Sequence, residues 1–200
     1  MNNVNYDKKQ TEIIKSLSGN KPRLLIHSCC APCSSYCLEK VVPHFLVDVL
    51  YFNPNITDSE EYNKRLNEQI SFVNTVYGES VSVIKGNYNI NDFYTAVKGE
   101  EDLKEGEKRC KICYLLRLEE TARIAKKLGY EYFTSTLSVS PYKNAKWLNE
   151  IGEELSKKYG VKYLYADFKK GGGYLKSIEL SKKYDLYRQD YCGCEFSKNK

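Results

Sequence analysis

The chain has 200 residues, 42% of them hydrophobic, enough to bury a core and within the usual size of one domain; we read residues 1–200 as a single domain. No run approaches the roughly 20 apolar residues of a membrane helix, and the N-terminal stretch MNNVNYDKKQ lacks the apolar segment of a secretory signal, so the expected location is the cytoplasm, with no membrane partner. In that reducing compartment eight cysteines point to metal binding or thiol chemistry rather than disulfide staples, while 31 Lys and Arg against 26 Asp and Glu give a net charge of +5 that allows a polyanionic partner without demanding one.

Taken in chain order, residues 6–17 carry Ile13, Ile14 and Leu17 at helical spacing, and Gly19, Lys21 and Pro22 end that helix before a buried first strand, 23–27. Pro32 suits the first turn of a helix over 31–39, which leaves Cys29 and Cys30 at the strand-to-helix junction. A second strand, 45–52, closes at Asn53-Pro54-Asn55, and Thr57 to Glu60 supplies capping chemistry for a helix reaching Val76. Further elements follow: a strand over 81–84, a short helix near 91–97, an exposed charged loop over 98–108 and a helix over 109–128. They are succeeded by a strand over 132–137, a helix over 144–159, a strand over 162–165 and a last helix over 175–183. Strands alternating with helices predict an α/β fold: a parallel sheet of about five strands with helices on both faces and ligands bound at the carboxyl ends of the strands.

The cysteines fall into three groups: Cys29, Cys30, Cys33 and Cys37 after the first strand, Cys110 and Cys113 at a helix start, and Cys192-Gly193-Cys194 near the C-terminus. Amides at strand ends and helix N-termini favour the thiolate that ligates metal. Four such thiolates suit tetrahedral zinc as well as an iron-sulfur cluster, and spacing alone does not separate the two; ordinary buried thiols are the third reading. Cys192 and Cys194 would close a strained, reducible ring on oxidation, as a redox couple does, although a second pair of metal ligands is the alternative. Cys37 shares a helix with Cys33 and reads as a small packed hydrophobe.

Other positions at the same edge are polar. His27 precedes the cysteine pair and is a candidate to tune or ligate a metal, whereas His44 carries no pattern. Ser140 to Lys143 brings a phenol, Tyr142, and a cation, Lys143, to where a substrate would approach, or else forms a capping turn. Lys169 to Tyr174 combines charge with glycine freedom, as a phosphate-contacting loop or as a solvated turn, and Arg188 is placed to meet phosphate or base or a surface carboxylate.

Taken together, Leu24-Leu-Ile-His-Ser-Cys-Cys-Ala-Pro-Cys33, Tyr51-Phe-Asn-Pro-Asn-Ile56, Arg109-Cys-x-x-Cys-Tyr-x-x-Arg-Leu118, Ser135-Thr-Leu-x-x-Ser-Pro-Tyr-Lys143, Asp167-Phe-Lys-Lys170 and Tyr187-Arg-Gln-x-Tyr-Cys-Gly-Cys194 resemble the cobalamin-independent epoxyqueuosine reductase family. The resemblance implies a Rossmann-like fold of the adenine-nucleotide alpha-hydrolase kind and a 4Fe-4S cluster on Cys29, Cys30, Cys110 and Cys113. It further implies an additional mononuclear iron with Cys33 beside it, and a redox-active pair, Cys192 and Cys194. No cobalamin and no ATP are expected. The implied reaction is two-electron removal of the epoxide oxygen of epoxyqueuosine at the wobble position of tRNA, the last step of queuosine biosynthesis, with electrons from an external donor. A dithiol becoming a disulfide carries two electrons, and iron with an open position can polarise the epoxide oxygen. The excess of cations acquires a use in holding an anticodon arm by its phosphates, with the splayed base in a pocket. An ATP-dependent tRNA-modifying enzyme of related fold would need a glycine-rich loop after the first strand, where this chain has His-Ser-Cys-Cys-Ala-Pro. A zinc-stabilised RNA-binding module without catalysis is the other competing reading; it would be colourless.

Overall fold

A computed structural model describes residues 4–198. Residues 1–3 of the stretch read for a secretory signal therefore lie outside the described residues. The chain begins with helix α1 (Tyr6–Ser16), capped by the Asn5 side chain accepting from the Lys8 amide, and continues into strand β1 (Arg23–His27) and helix α2 (Ala31–Val41). Strand β2 (Leu46–Tyr51) leads to helix α3 (Ser59–Tyr77), where Asp58 accepts from the Glu60 and Glu61 amides, and then to strand β3 (Ser82–Lys85). Helices α4 (Ile90–Val97) and α5 (Lys108–Lys127) come next. Strand β4 (Tyr132–Ser135), helix α6 (Ala145–Tyr159), strand β5 (Lys162–Tyr163) and helix α7 (Gly173–Lys183) complete the series.

All pairings are parallel, in the order β3-β2-β1-β4-β5. This is the expected α/β sheet of five strands, and its physical basis is the period-2 pattern of buried apolar strands. Leu24 and Ile26 face one side, where with Val47 and Val49 they meet Leu38 and Val41 of α2 and Phe72 and Val73 of α3. Leu25 and Leu50 face the other, where with Phe133 they meet Leu118 and Ala122 of α5 and Leu148, Ile151 and Leu155 of α6. Two covered faces account for the unbroken apolar runs of β1 and β2.

Three strands are shorter than the sequence predicts, β2 by one residue at each end and β4 and β5 by two at their carboxyl ends. β4 stops at Ser135 because the Ser135 hydroxyl accepts from the Leu137 amide at 3.2 Å, starting a 3-10 turn over Thr136–Val139. β5 pairs over two residues, at the open edge of the sheet. The consequence matters for function. From β1 the chain winds to β2 and β3 on one side and to β4 and β5 on the other, so the crevice beyond the carboxyl ends of β1 and β4 is the switch point where open α/β sheets take ligands. β1 delivers Cys29 and Cys30 there, and the turn after β4 delivers Ser140 to Lys143.

Candidate active site

At the end of β1 the backbone of Cys30 is extended (φ −174°), and Cys30 serves as the N-cap of α2 without a side-chain cap bond, leaving its thiol available. Cys29 Sγ and Cys30 Sγ are 3.6 Å apart. With Cys33 one turn into α2, the three sulfurs lie within 4.8 Å of one another and form a group that could hold a metal ion. Their thiols are unequal: hydrogen bonds from Cys30 and Cys33, helped by Arg117, hold Cys29 well below the usual thiol range. Burial, with the thiolate of Cys29 beside it, pushes Cys30 up to about 12. Cys33 is raised by its contacts with Cys29 and Cys30 and by burial. Strand-end amides do not lower every thiol, because burial opposes them.

His27 is fully buried, Nε2 lying 3.0 Å from the Phe52 carbonyl and Nδ1 3.0 Å from Ser135 Oγ. A carbonyl only accepts, so Nε2 carries the proton and Nδ1 accepts from the Ser135 hydroxyl. Burial and the neighbouring Arg117 lower His27 to about 4, which keeps the ring neutral. Both nitrogens thus join β1 to the ends of β2 and β4, hydrogen bonds that a ligand role for His27 would have to break.

The second group sits in the first two turns of α5, Cys110 in the first and Cys113 in the second. The Gly106 amide donates to Cys110 Sγ at 3.2 Å. Arg109, 2% exposed, fastens the preceding loop by donating to the carbonyls of Glu101 (2.7 Å) and Leu103, and reaches the Phe196 carbonyl at 3.4 Å. Cys110 packs in the same apolar cluster as Cys29 and Cys30, and burial raises the Cys113 thiol.

The third group arrives from the far end of the sequence. Residues 187–194 form a strap across α3 and the loop after β2: the Tyr187 amide donates to Glu68, and Arg65 donates to the Tyr191 carbonyl at 3.2 Å while paired with Glu61 at 2.6 Å. Asn55 donates to the Cys192 carbonyl at 3.3 Å, and the Thr57 amide to the Gly193 carbonyl at 3.2 Å. Gly193 has φ +93°, and a Cβ there would lie 2.7 Å from Ile56 Cγ1, so glycine is required between the two cysteines. The strap brings Cys192 beside Lys143. Cys194 and Lys143 lower the Cys192 thiol well below its ordinary value, whereas Cys192 and burial raise Cys194, so the two thiols of the pair are differentiated.

These groups border two adjoining spaces. A cleft of about 340 Å³ is lined by Cys29, Cys33, Arg117, Tyr142, Lys143, Tyr174, Arg188, Gln189 and Cys192 among others. A cavity of about 20 Å³ behind it is lined by Cys110, Cys113, Cys192 and Cys194, with Arg117 and Lys143 common to both. Tyr142, 75% exposed, stands at the rim. Lys143, 9% exposed, pairs with Glu105 at 2.7 Å; burial opposes its charge, but Cys192, Tyr114 and Glu105 hold its pKa above the ordinary lysine value. Arg188 donates to Ser181 Oγ of α7 at 3.0 Å. Lys169 is paired with Asp167 at 2.9 Å, so in the 169–174 turn it is Tyr174 that lines the cleft. Cys37, fully buried, lies off the cleft with its Sγ 3.9 Å from the Thr136 carbonyl.

Residues 24–200 match the profile of the family described as epoxyqueuosine reductase QueH. The chain belongs to this family. Proteins named epoxyqueuosine reductase QueH resemble it over most of their length. That of Streptococcus pyogenes serotype M1 is 39% identical over 97% of this chain and 78% of its own. That of Staphylococcus epidermidis is 42% identical over 97% and 84%, and that of Thermotoga maritima 42% identical over 87% and 89%. In this member of the QueH family, two site residues had no role assigned from sequence. Arg117, 3% exposed, lies among all three cysteine groups; burial works against its charge, while Cys113, Cys29 and Cys192 hold the guanidinium above its ordinary pKa. Its spacing of seven from Cys110, two helical turns, was the available signal. Gln189 donates from Nε2 to Cys30 Sγ at 2.9 Å; its place in the Tyr187-Arg-Gln motif was the available signal, although the motif does not say what it touches.

Proposed function

We propose that this chain is an epoxyqueuosine reductase that removes the epoxide oxygen of epoxyqueuosine in tRNA to give queuosine. The observation that carries the reading is the meeting of Cys29, Cys33, Lys143 and Cys192, from three distant parts of the chain, on one cleft at the switch point of a QueH-family fold. The donor set suits iron and sulfide: an all-thiol group of three within 4.8 Å, with Cys110 packed against it and already accepting an amide proton, as metal-bound thiolates do. Cys29, Cys30, Cys110 and Cys113 would hold a 4Fe-4S cluster, and Cys33, which lines the open cleft, would hold an additional iron. When bound, these groups supply single-electron transfer and a Lewis acid for the epoxide oxygen.

The residues of the chain account for the rest. The overall change is an epoxide plus two thiols giving an alkene, water and a disulfide; the two electrons and two protons come from Cys192 and Cys194, and an external donor then restores the dithiol. Cys192 is the member of the pair whose thiol is lowered well below its ordinary value and the one lining the cleft, so its sulfur is the nearer electron source and the readier to give up its proton. Lys143, charged and largely shielded from water, compensates negative charge beside that sulfur. Tyr142 and Arg188 at the rim would meet the nucleoside and its phosphates, and the positive excess supports backbone binding.

Anaerobically purified protein should carry about four acid-labile sulfides with at least as many irons, absorb broadly near roughly 400 nm and convert epoxyqueuosine-containing tRNA in the presence of a reductant. A colourless zinc protein that stays colourless after iron and sulfide reconstitution and converts no substrate would return the chain to a structural RNA-binding role.

A further inference from the structure

We infer that Gln189 is a positioning residue for the cluster: its amide N–H, held 2.9 Å from Cys30 Sγ, sets the reduction potential of the group that Cys30 ligates. The inference rests on the cluster reading given above. A thiolate ligand can only accept a hydrogen bond, so the amide must turn its NH₂ to the sulfur, which fixes the direction of the contact. That orientation leaves Gln189 Oε1 buried without a partner. An apolar side chain of similar length would avoid that penalty, so packing alone gives no reason for an amide at this position.

The aim of the side chain is fixed from both sides. The backbone two residues earlier is tied to Glu68 of α3, and two residues later to buried Arg65 of the same helix. Three residues beyond Gln189 stands Cys192, so one short strap carries both the contact to Cys30 and the dithiol. Hydrogen bonds to a cluster's sulfurs stabilise its reduced, more negative state and raise its potential. Gln189 therefore makes the cluster a better electron acceptor from the external donor.

The test is a redox titration of anaerobically reconstituted wild type, Gln189→Leu and Gln189→Glu, followed by visible bleaching and by electron paramagnetic resonance of the reduced cluster, alongside thermal melts. Iron and sulfide content equal to wild type, an unchanged or higher melting temperature and a more negative midpoint potential are expected for Gln189→Leu. Gln189→Glu, which puts a carboxylate at the sulfur, should shift further in the same direction. Wild-type protein that loads no cluster overturns the cluster reading and this inference together. Variants that load fully and titrate at the wild-type potential overturn the inference alone. Loss of the cluster from both variants overturns it as well, since Gln189 would then serve retention rather than potential.

Discussion

Replacing Gly193 by Ala should release the strap that carries the dithiol while leaving the sheet intact. Gly193 sits at φ +93°, and the new Cβ would lie 2.7 Å from Ile56 Cγ1, 3.2 Å from Ile56 Cβ and 3.3 Å from Ile56 Cα. The backbone conformation costs a non-glycine residue about 1–3 kcal/mol, and overpacking against Ile56 adds about 1–3 kcal/mol. Opposing this are the anchors of residues 191–193: the bond from Arg65, worth about 1.5–3 kcal/mol as a charged donor, and those from Asn55 and the Thr57 amide, about 0.5–1.5 kcal/mol each. Strain and anchoring are of the same size, so the strap opens locally before the core yields. Alkylation of Cys194, 5% exposed, is the readout on metal-free protein, followed residue by residue by mass spectrometry. Each 1.4 kcal/mol of strain is worth about tenfold in the open population, so at least a tenfold faster reaction is expected, with a nearly unchanged thermal melt. Adding Ile56→Ala should relieve the packing part of the strain and leave the backbone part. Cys194 protection equal to wild type in Gly193→Ala would refute the account of why glycine separates these cysteines.

Four further outcomes follow from the same contacts. Arg65→Met breaks a buried pair with Glu61 and an anchor of the strap, and should cost about 3–5 kcal/mol, lowering the melting temperature by on the order of 10 °C; a change of only a degree or two would show the pair to be inert. Cys110→Ala should lose iron, sulfide and colour, whereas Cys194→Ala should keep them and stop turnover; the reverse pattern would exchange the roles of the two groups. Lys143→Met should retain metal content but reduce turnover, by about 10²-fold if it acts as a buried charge beside Cys192, and an unchanged rate would leave Ser140 to Lys143 a structural turn. Leu25→Ala, at a fully buried position, should destabilise by about 2–5 kcal/mol in a denaturant titration without altering the metal-to-protein ratio of the folded fraction.

The sequence by itself determined the alternation of strands and helices, because short unbroken apolar runs such as that within 23–27 and capped helical stretches such as 59–77 are local properties of the chain. It also determined the strand-to-helix junction that carries Cys29 and Cys30, through Pro32 in the first helical turn, and through its motifs the family. Other features depended on residues far apart in sequence. The shortening of β4 comes from one serine hydroxyl, Ser135, that also donates to His27 across the sheet, and only that contact shows both nitrogens of His27 to be engaged. The grouping of Cys33 with Cys29 and Cys30 is local, but the approach of Cys192 to Lys143 needs the strap held by Arg65, Asn55 and Thr57. Gln189 and Cys30 are 159 positions apart, a separation at which spacing carries no geometry. Periodicity records which face of an element is buried; which side chains then meet beyond the strand ends is decided by the crossover order of the sheet and by the tertiary hydrogen bonds that hold the C-terminal strap against it.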